Sequence, residues 1–75
     1  MNRKAQQDAA QVAAVIEGAK EQGRHYYHKA PGLMLVAVGR EGAQRFGDSP
    51  RTIAFLQGYV EARTQHEEFL AESER

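Results

Sequence analysis

Apolar residues in the first third of the chain recur at the spacing of one helical stripe. Successive members are 4, 3, 4 and 3 positions apart, which places them on one face of a helix. Glycine is the residue that most often follows the end of a helix, so Gly23 is a plausible helix end. Ala30-Pro31-Gly32 would interrupt any helix that continued past it. The pattern therefore predicts a first helix from about residue 2 to about residue 22. The stripe consists of Ala5, Ala9, Val12, Ile16 and Ala19.

The middle of the chain holds a short run, Leu33 to Val38, that is apolar throughout. Periodicity cannot distinguish a buried strand from a buried helix in so short a run. Leucine and methionine favour a helix and the two valines mildly favour a strand, and a lone strand would need a partner from a second subunit. We favour a helix over about residues 33–46, with the strand left as the alternative.

The last third contains the clearest element. Ser49 is a good N-cap, and Pro50 then takes the first helical position, where its missing N–H costs nothing. Two apolar stripes follow, so the pattern predicts a helix over about residues 50–72 that is apolar over a wide arc. The first stripe is Ile53, Leu56 and Val60, and the second is Phe55, Tyr59, Ala62, His66 and Phe69.

These elements predict a single all-α domain, residues 1–75, with three helices: a helical hairpin preceded by an N-terminal helix. A chain of 75 residues buries a small core, and small scaffolds usually need a staple or a second subunit. The absence of cysteine rules out disulfides and cysteine-ligated zinc. We therefore predict a homodimer, because the apolar arc of the third helix is too broad for so short a chain to cover. The predicted dimer interface is the second stripe: Phe55, Tyr59, Ala62, His66 and Phe69.

Small residues four positions apart, such as Ala54 and Gly58, share a helix face. Glycine in mid-helix costs about 1 kcal/mol relative to alanine. We expect Gly58 to offset that cost by letting another helix approach closely.

The net charge is zero, but its distribution is uneven. Residues 1–51 carry eight Lys or Arg against five Asp or Glu, a net +3, and residues 52–75 carry two Arg against five Glu, a net −3. This asymmetry could support head-to-tail or antiparallel self-association. It lacks the basic excess typical of nucleic-acid binders. No apolar run approaches the length of a membrane span, and cysteine-free composition fits a reducing cytoplasm, so we expect a cytoplasmic protein without a membrane partner.

The densest cluster of basic and aromatic residues runs from Arg24 to Lys29. Tyrosine and arginine are enriched at protein interfaces, and the same residue types can stack on bases and meet phosphates. The tyrosines could also simply pack on the core. We predict a protein-partner surface, with RNA as a less favoured partner. Its predicted residues are Arg24, Tyr26, Tyr27, Lys29, Arg40 and Arg45.

Metal binding and catalysis have little support. His25-x-x-His28 would present two imidazoles on one face if the first helix continued past Gly23, and could add His66, Glu67 or Glu68 as a further ligand. The alternative is two solvated histidines near a helix end, and we expect no metal and no cofactor. The chain has no cysteine nucleophile, and Gly39-x-x-Gly42 lacks the Lys-Ser/Thr pair of a phosphate loop. We therefore expect a protein that is not an enzyme.

The pattern Ala43-xxx-Gly47, Pro50, Phe55-Leu56-Gln57-Gly58-Tyr59, Ala62 resembles the ribosome modulation factor family over about residues 39–63. In that family a small-residue helix is followed by Cys-Pro and then by a helix with aromatic-x-x-Gly-aromatic and a trailing alanine. Ser49 stands here where the family has its cysteine, and this chain is neutral where the family is strongly basic. The resemblance implies a helical pair bound to ribosomal RNA.

The predicted function is a small regulator or inhibitor that binds a specific protein partner. Small, neutral, cysteine-free helical proteins of this size are often encoded by phages or other mobile elements, an association rather than a derivation. The alternative function is a ribosome- or rRNA-binding protein similar to the modulation factors.

Overall fold

The computed structural model describes residues 3–73 and folds them into three α-helices joined by short loops. They are α1 (Arg3–Lys29), α2 (Leu35–Phe46) and α3 (Pro50–Ser73). No strand occurs between residues 3 and 73. The prediction of an all-α, three-helix protein is therefore confirmed, and the apolar run in the middle of the chain enters a helix rather than a strand.

The prediction that Gly23 ends the first helix is wrong, because α1 continues to Lys29. Gly23 is buried, and a β-carbon on it would collide with the backbone carbonyl of Phe55 in α3. Gly58 is placed reciprocally, since a β-carbon there would collide with the carbonyl of Lys20 in α1. The two glycines thus let the backbones of α1 and α3 touch, and the expected close approach at Gly58 is confirmed.

The helix boundaries come from backbone geometry at glycine and proline. α1 ends at the predicted Ala30-Pro31-Gly32 break, where Gly32 has a φ of +89°. α2 ends at Phe46 and is followed by Gly47, whose φ is +70°. α3 begins at Pro50 as predicted, but the Ser49 hydroxyl donates a hydrogen bond of 3.1 Å to the carbonyl of Phe46. The hydroxyl therefore closes the end of α2 instead of capping α3.

α3 is the central helix, and it packs against both of the others. α1 and α3 run parallel, because their partners advance together: Lys20 lies 3.5 Å from Glu61, and Tyr27 lies 2.8 Å from His66 further along both helices. α2 runs back along α3 and places Gly42 against Thr52 and Phe55.

The core is completed within one chain, which corrects the predicted dimer interface. Phe55 and Tyr59 are 0% exposed and Ala62 is also buried, so none of the three can contact a second copy. They are covered because α1 runs past Gly23: Tyr27 packs edge-on against Tyr59, with ring centroids 5.2 Å apart. The expectation that so short a chain could not cover this arc is wrong for these residues. His66 and Phe69, the other members of the predicted interface, are exposed.

Candidate partner-binding surfaces

Three of the six predicted partner-binding residues lie together in one open cleft. This cleft, called here the α1–α2 cleft, has a volume of about 480 Å³ and lies between the end of α1 and Arg45 of α2. It combines aromatic, amide, imidazole and cationic groups and has no carboxylate in its lining. The lining residues are Gln22, His25, Tyr26, His28, Lys29 and Arg45.

The ring of Tyr26 forms part of this lining and also packs on the core. Tyr26 is half-buried, with its ring centroid 5.4 Å from that of Phe55. The Arg45 guanidinium lies 5.2 Å from the Tyr26 centroid and 4.9 Å from that of Phe55, within the range of a cation–π contact. Arg45 also donates hydrogen bonds to Glu41, at 2.8 Å, and to Gln22, at 3.3 Å. These contacts hold the cation at the edge of the cleft, next to the aromatic ring.

Arg24, Tyr27 and Arg40 do not line the cleft. Tyr27 is 6% exposed and belongs to the core, so its assignment to a partner surface is wrong. Arg40 is exposed on α2, away from the cleft. Composition alone does not distinguish a core tyrosine from an interface tyrosine, because tyrosine rings are common in both places.

Arg24 is occupied by carboxylates of its own chain. It pairs with Glu21, with Glu17 at 3.3 Å and with Glu61 of α3 at 3.1 Å. Hydrogen bonding to Glu21 is the main reason why the pKa of Arg24 lies above its ordinary value, with smaller contributions from the other two carboxylates and partial opposition from burial. Its charge is therefore compensated locally and joins α1 to α3.

The histidines have different interaction partners. α1 continues past Gly23, so His25 and His28 lie on the same helix, but His25 is 3.4 Å from Glu21. His66 is instead hydrogen-bonded through Nδ1 to the hydroxyl of Tyr27, at 2.8 Å. In the part of the chain that the structure describes, no three His, Asp or Glu residues are grouped so that they could hold a metal ion.

A second surface, which the sequence reasoning missed, is an apolar groove beside the start of α3. It is called here the α1–α3 groove, and its volume is about 570 Å³. Val12 and Val15 are 60% and 49% exposed in it, a large fraction for valines lying side by side. The signal in the sequence is the apolar stripe of α1, whose members Val12 and Ile16 line the groove beside Pro50. The groove is lined by Gln11, Val12, Val15, Ile16, Ser49, Pro50 and Arg51.

A third apolar feature lies at the opposite end of the molecule. Phe69 and Leu70, called here the α3 tip, are 65% and 47% exposed. Acidic residues precede and follow them on the same helix: Glu67, Glu68 and Glu72.

Comparison with known protein families, with curated proteins and with solved structures finds no match to this chain. The resemblance to the ribosome modulation factors stays a prediction. Among the helices described here, none has the length and apolarity that crossing a bilayer would require.

Proposed function

We propose that this protein is a non-enzymatic regulator that binds a specific partner protein through the α1–α2 cleft. The observation that carries the proposal is the make-up of the cleft: two cations, Lys29 and Arg45, beside a half-buried tyrosine, with no acidic residue in the lining. Arginine and tyrosine are the residue types that contribute most binding energy at protein interfaces.

The chemistry of the cleft suits an acidic segment that also carries an apolar side chain. Lys29 would attract the carboxylates, and the ring of Tyr26 would offer an apolar contact. Arg45, which is already paired with Glu41, would donate further hydrogen bonds to the carboxylates. Because Arg45 is already held by Glu41 and Gln22, less side-chain freedom is lost when a ligand binds. If the acidic segment that enters the cleft belongs to a regulatory part of the partner, its capture would change the partner's activity. We place this function in the cytoplasm, which the cysteine-free composition favours, and propose an origin in a phage or mobile element by association with other small, neutral helical proteins.

A protein partner is favoured over RNA by the charges. RNA binding takes much of its affinity from phosphate neutralisation by Lys and Arg. The whole chain has no net charge, and Arg24, in the middle of the basic cluster, is compensated by three glutamates. A ribosome-binding function would have to rely on the few cations that remain around the cleft.

Lys29→Glu tests this proposal, with Arg40→Glu as the matched control. Both residues are exposed and both substitutions change the charge by the same amount, but only Lys29 lines the cleft. Partners captured from extracts of the source organism, with and without nuclease treatment, are identified by mass spectrometry. The affinity of the purified partner is then measured for each variant.

We expect Lys29→Glu to weaken partner binding about tenfold, because reversing a charge at an interface replaces attraction with repulsion, while Arg40→Glu stays close to the original affinity. Equal effects of the two substitutions would overturn the assignment to the cleft. Capture that depends on intact RNA and falls steeply with salt would overturn the protein-partner function in favour of the RNA alternative.

The predicted homodimer is retained only as a proposal about exposed residues. Phe55, Tyr59 and Ala62 are buried in the chain, so any association between copies has to use other surfaces.

A further inference from the structure

The apolar stripe of α1 extends beyond the helix that covers it. Ala19 and Tyr27 are buried, and both lie on the stripe that faces α3. α3 begins at Pro50, which lines the same groove as Val12 and Ile16. At the level of Val12 the stripe has therefore reached the start of α3, and Val12 is left 60% exposed.

The apolar stripe of α3 extends beyond α1 in the same way at the other end. α1 ends at Lys29, and Tyr27, close to that end, contacts His66 on this stripe. Phe69 lies three residues after His66 on the same stripe, further from the core, and is 65% exposed. The two helices are parallel and staggered, so each leaves part of its core-facing side uncovered.

These two uncovered parts are complementary halves of one helix pair. An α3 tip from a second copy, laid parallel to α1 and next to the start of α3, would contact the residues that α3 itself would meet if it began earlier. The α1–α3 groove lies in that position, with Val12, Val15 and Ile16 along one side and Ser49 to Arg51 at its end.

The charges of the groove and of the tip are also complementary. The tip carries Glu67, Glu68 and Glu72, and Arg51 lines the groove. α3 has no acidic residue in its first turn and no basic residue in its last, so neither end of its helix dipole is compensated by a charge on those turns. Placing an acidic tip beside the start of α3 brings carboxylates to the positive end of the dipole.

We propose that the α1–α3 groove binds the α3 tip of a second copy, so that copies of this protein associate head to tail. Such a contact joins two different surfaces and does not close on itself after two copies, so the assembly lengthens with concentration. The contact does not involve the α1–α2 cleft, and the inference stands or falls independently of the proposed partner.

Two single substitutions and their mixture test this proposal by sedimentation velocity over a wide range of protein concentration. Val12→Glu places a charge in the groove and leaves the tip intact, and Phe69→Glu does the reverse. We expect the sedimentation coefficient of the unsubstituted protein to rise with concentration, and each variant alone to remain a monomer. An equimolar mixture should form a heterodimer and stop there, because the tip of the Val12→Glu chain can enter the groove of the Phe69→Glu chain.

Ile53→Glu is the control, since Ile53 is an equally exposed apolar residue of α3 that lies in neither surface. It should leave the self-association unchanged. An unsubstituted protein that is monomeric at every concentration, variants that still associate alone, or a mixture that forms no heterodimer would each overturn the proposal. The heterodimer also shows that both variants are folded, because each must present one intact surface.

Discussion

At the scale of single residues, two glycines determine how α1 meets α3. The backbone carbonyls of Phe55 and Lys20 occupy the space that a side chain on Gly23 or Gly58 would need. Each glycine costs about 1 kcal/mol of helix propensity relative to alanine. The position of Gly58 made close packing predictable from the sequence, whereas Gly23, near a basic stretch with no periodicity, was indistinguishable from a helix end.

Gly58→Ala should therefore destabilise the protein although alanine is the better helix former. The added methyl group forces the two helix backbones apart. Overpacking of this kind typically costs about 1–3 kcal/mol, which exceeds the gain in helix propensity. Gly18→Ala is the control, because Gly18 lies in α1 with nothing within 4 Å of a β-carbon, and it should stabilise by about 0.5–1 kcal/mol. Urea denaturation followed by circular dichroism measures both. Stabilisation by both substitutions would show that the helices do not touch at Gly58.

Site residues were predictable only as residue types. Tyr26, Lys29 and Arg45 were predicted for the partner surface and lie in one cleft, although Arg45 is far from the other two in sequence. Tyr27, next to Tyr26, points into the core. Neighbouring helical residues are about 100° apart on the helix, so their different environments depend on where α1 crosses α3, which a single sequence does not reveal.

At the scale of elements, the starts and ends that depend on proline and on glycine with positive φ were predictable. Pro50 begins α3, and Ala30-Pro31-Gly32 ends α1. The packing that extends α1 beyond Gly23 was not predictable, because the buried contact that favours it lies in α3, more than thirty residues away. The misplaced helix end also affects the predicted dimer interface, because a first helix that ended at Gly23 would leave the aromatic stripe of α3 uncovered.

The connection between α1 and α2 is held to α3 by one hydroxyl group. Tyr59 donates a hydrogen bond to the carbonyl of Ala30 and accepts one from the N–H of Leu33, both at 2.9 Å. Tyr59→Phe removes both bonds and leaves two backbone groups without this partner, so we expect a loss of about 1–3 kcal/mol in the free energy of unfolding. The Leu33 amide should also lose protection in hydrogen exchange.

The control for this prediction is Tyr27→Phe, which removes a single hydrogen bond to the exposed His66. It should cost less, about 0.5–1.5 kcal/mol, and leave the exchange of Leu33 unchanged. If both substitutions cost the same and neither changes the exchange of Leu33, the Tyr59 hydroxyl does not hold this connection.

At the scale of the whole molecule, the structure separates the covering of the aromatic core from the association between copies. The hydrophobic pattern correctly predicted a small three-helix protein, and the argument from its size assigned the aromatic stripe to a second subunit. Val38, Phe55 and Tyr59 are instead 0% exposed in a single chain. The α1–α3 groove and the α3 tip lie towards opposite ends of the elongated molecule, which measures 54 × 28 × 15 Å. Further exposed apolar residues lie between them: Met34, Leu35, Val36 and Ile53. Association between copies is therefore expected to use exposed surfaces and not to complete the core.

This distinction predicts how stability depends on concentration in the Phe69→Glu variant. A core closed within one chain gives a free energy of unfolding that is the same at every protein concentration, whereas a core completed by a second copy becomes more stable as the concentration rises. We expect no dependence for this variant, and a value within about 0.5 kcal/mol of the unsubstituted protein at its lowest concentration, because Phe69 is mostly in solvent. Stability that rises with concentration in the variant would mean that Phe55 and Tyr59 are covered by a second copy after all, and the originally predicted dimer interface would have to be restored.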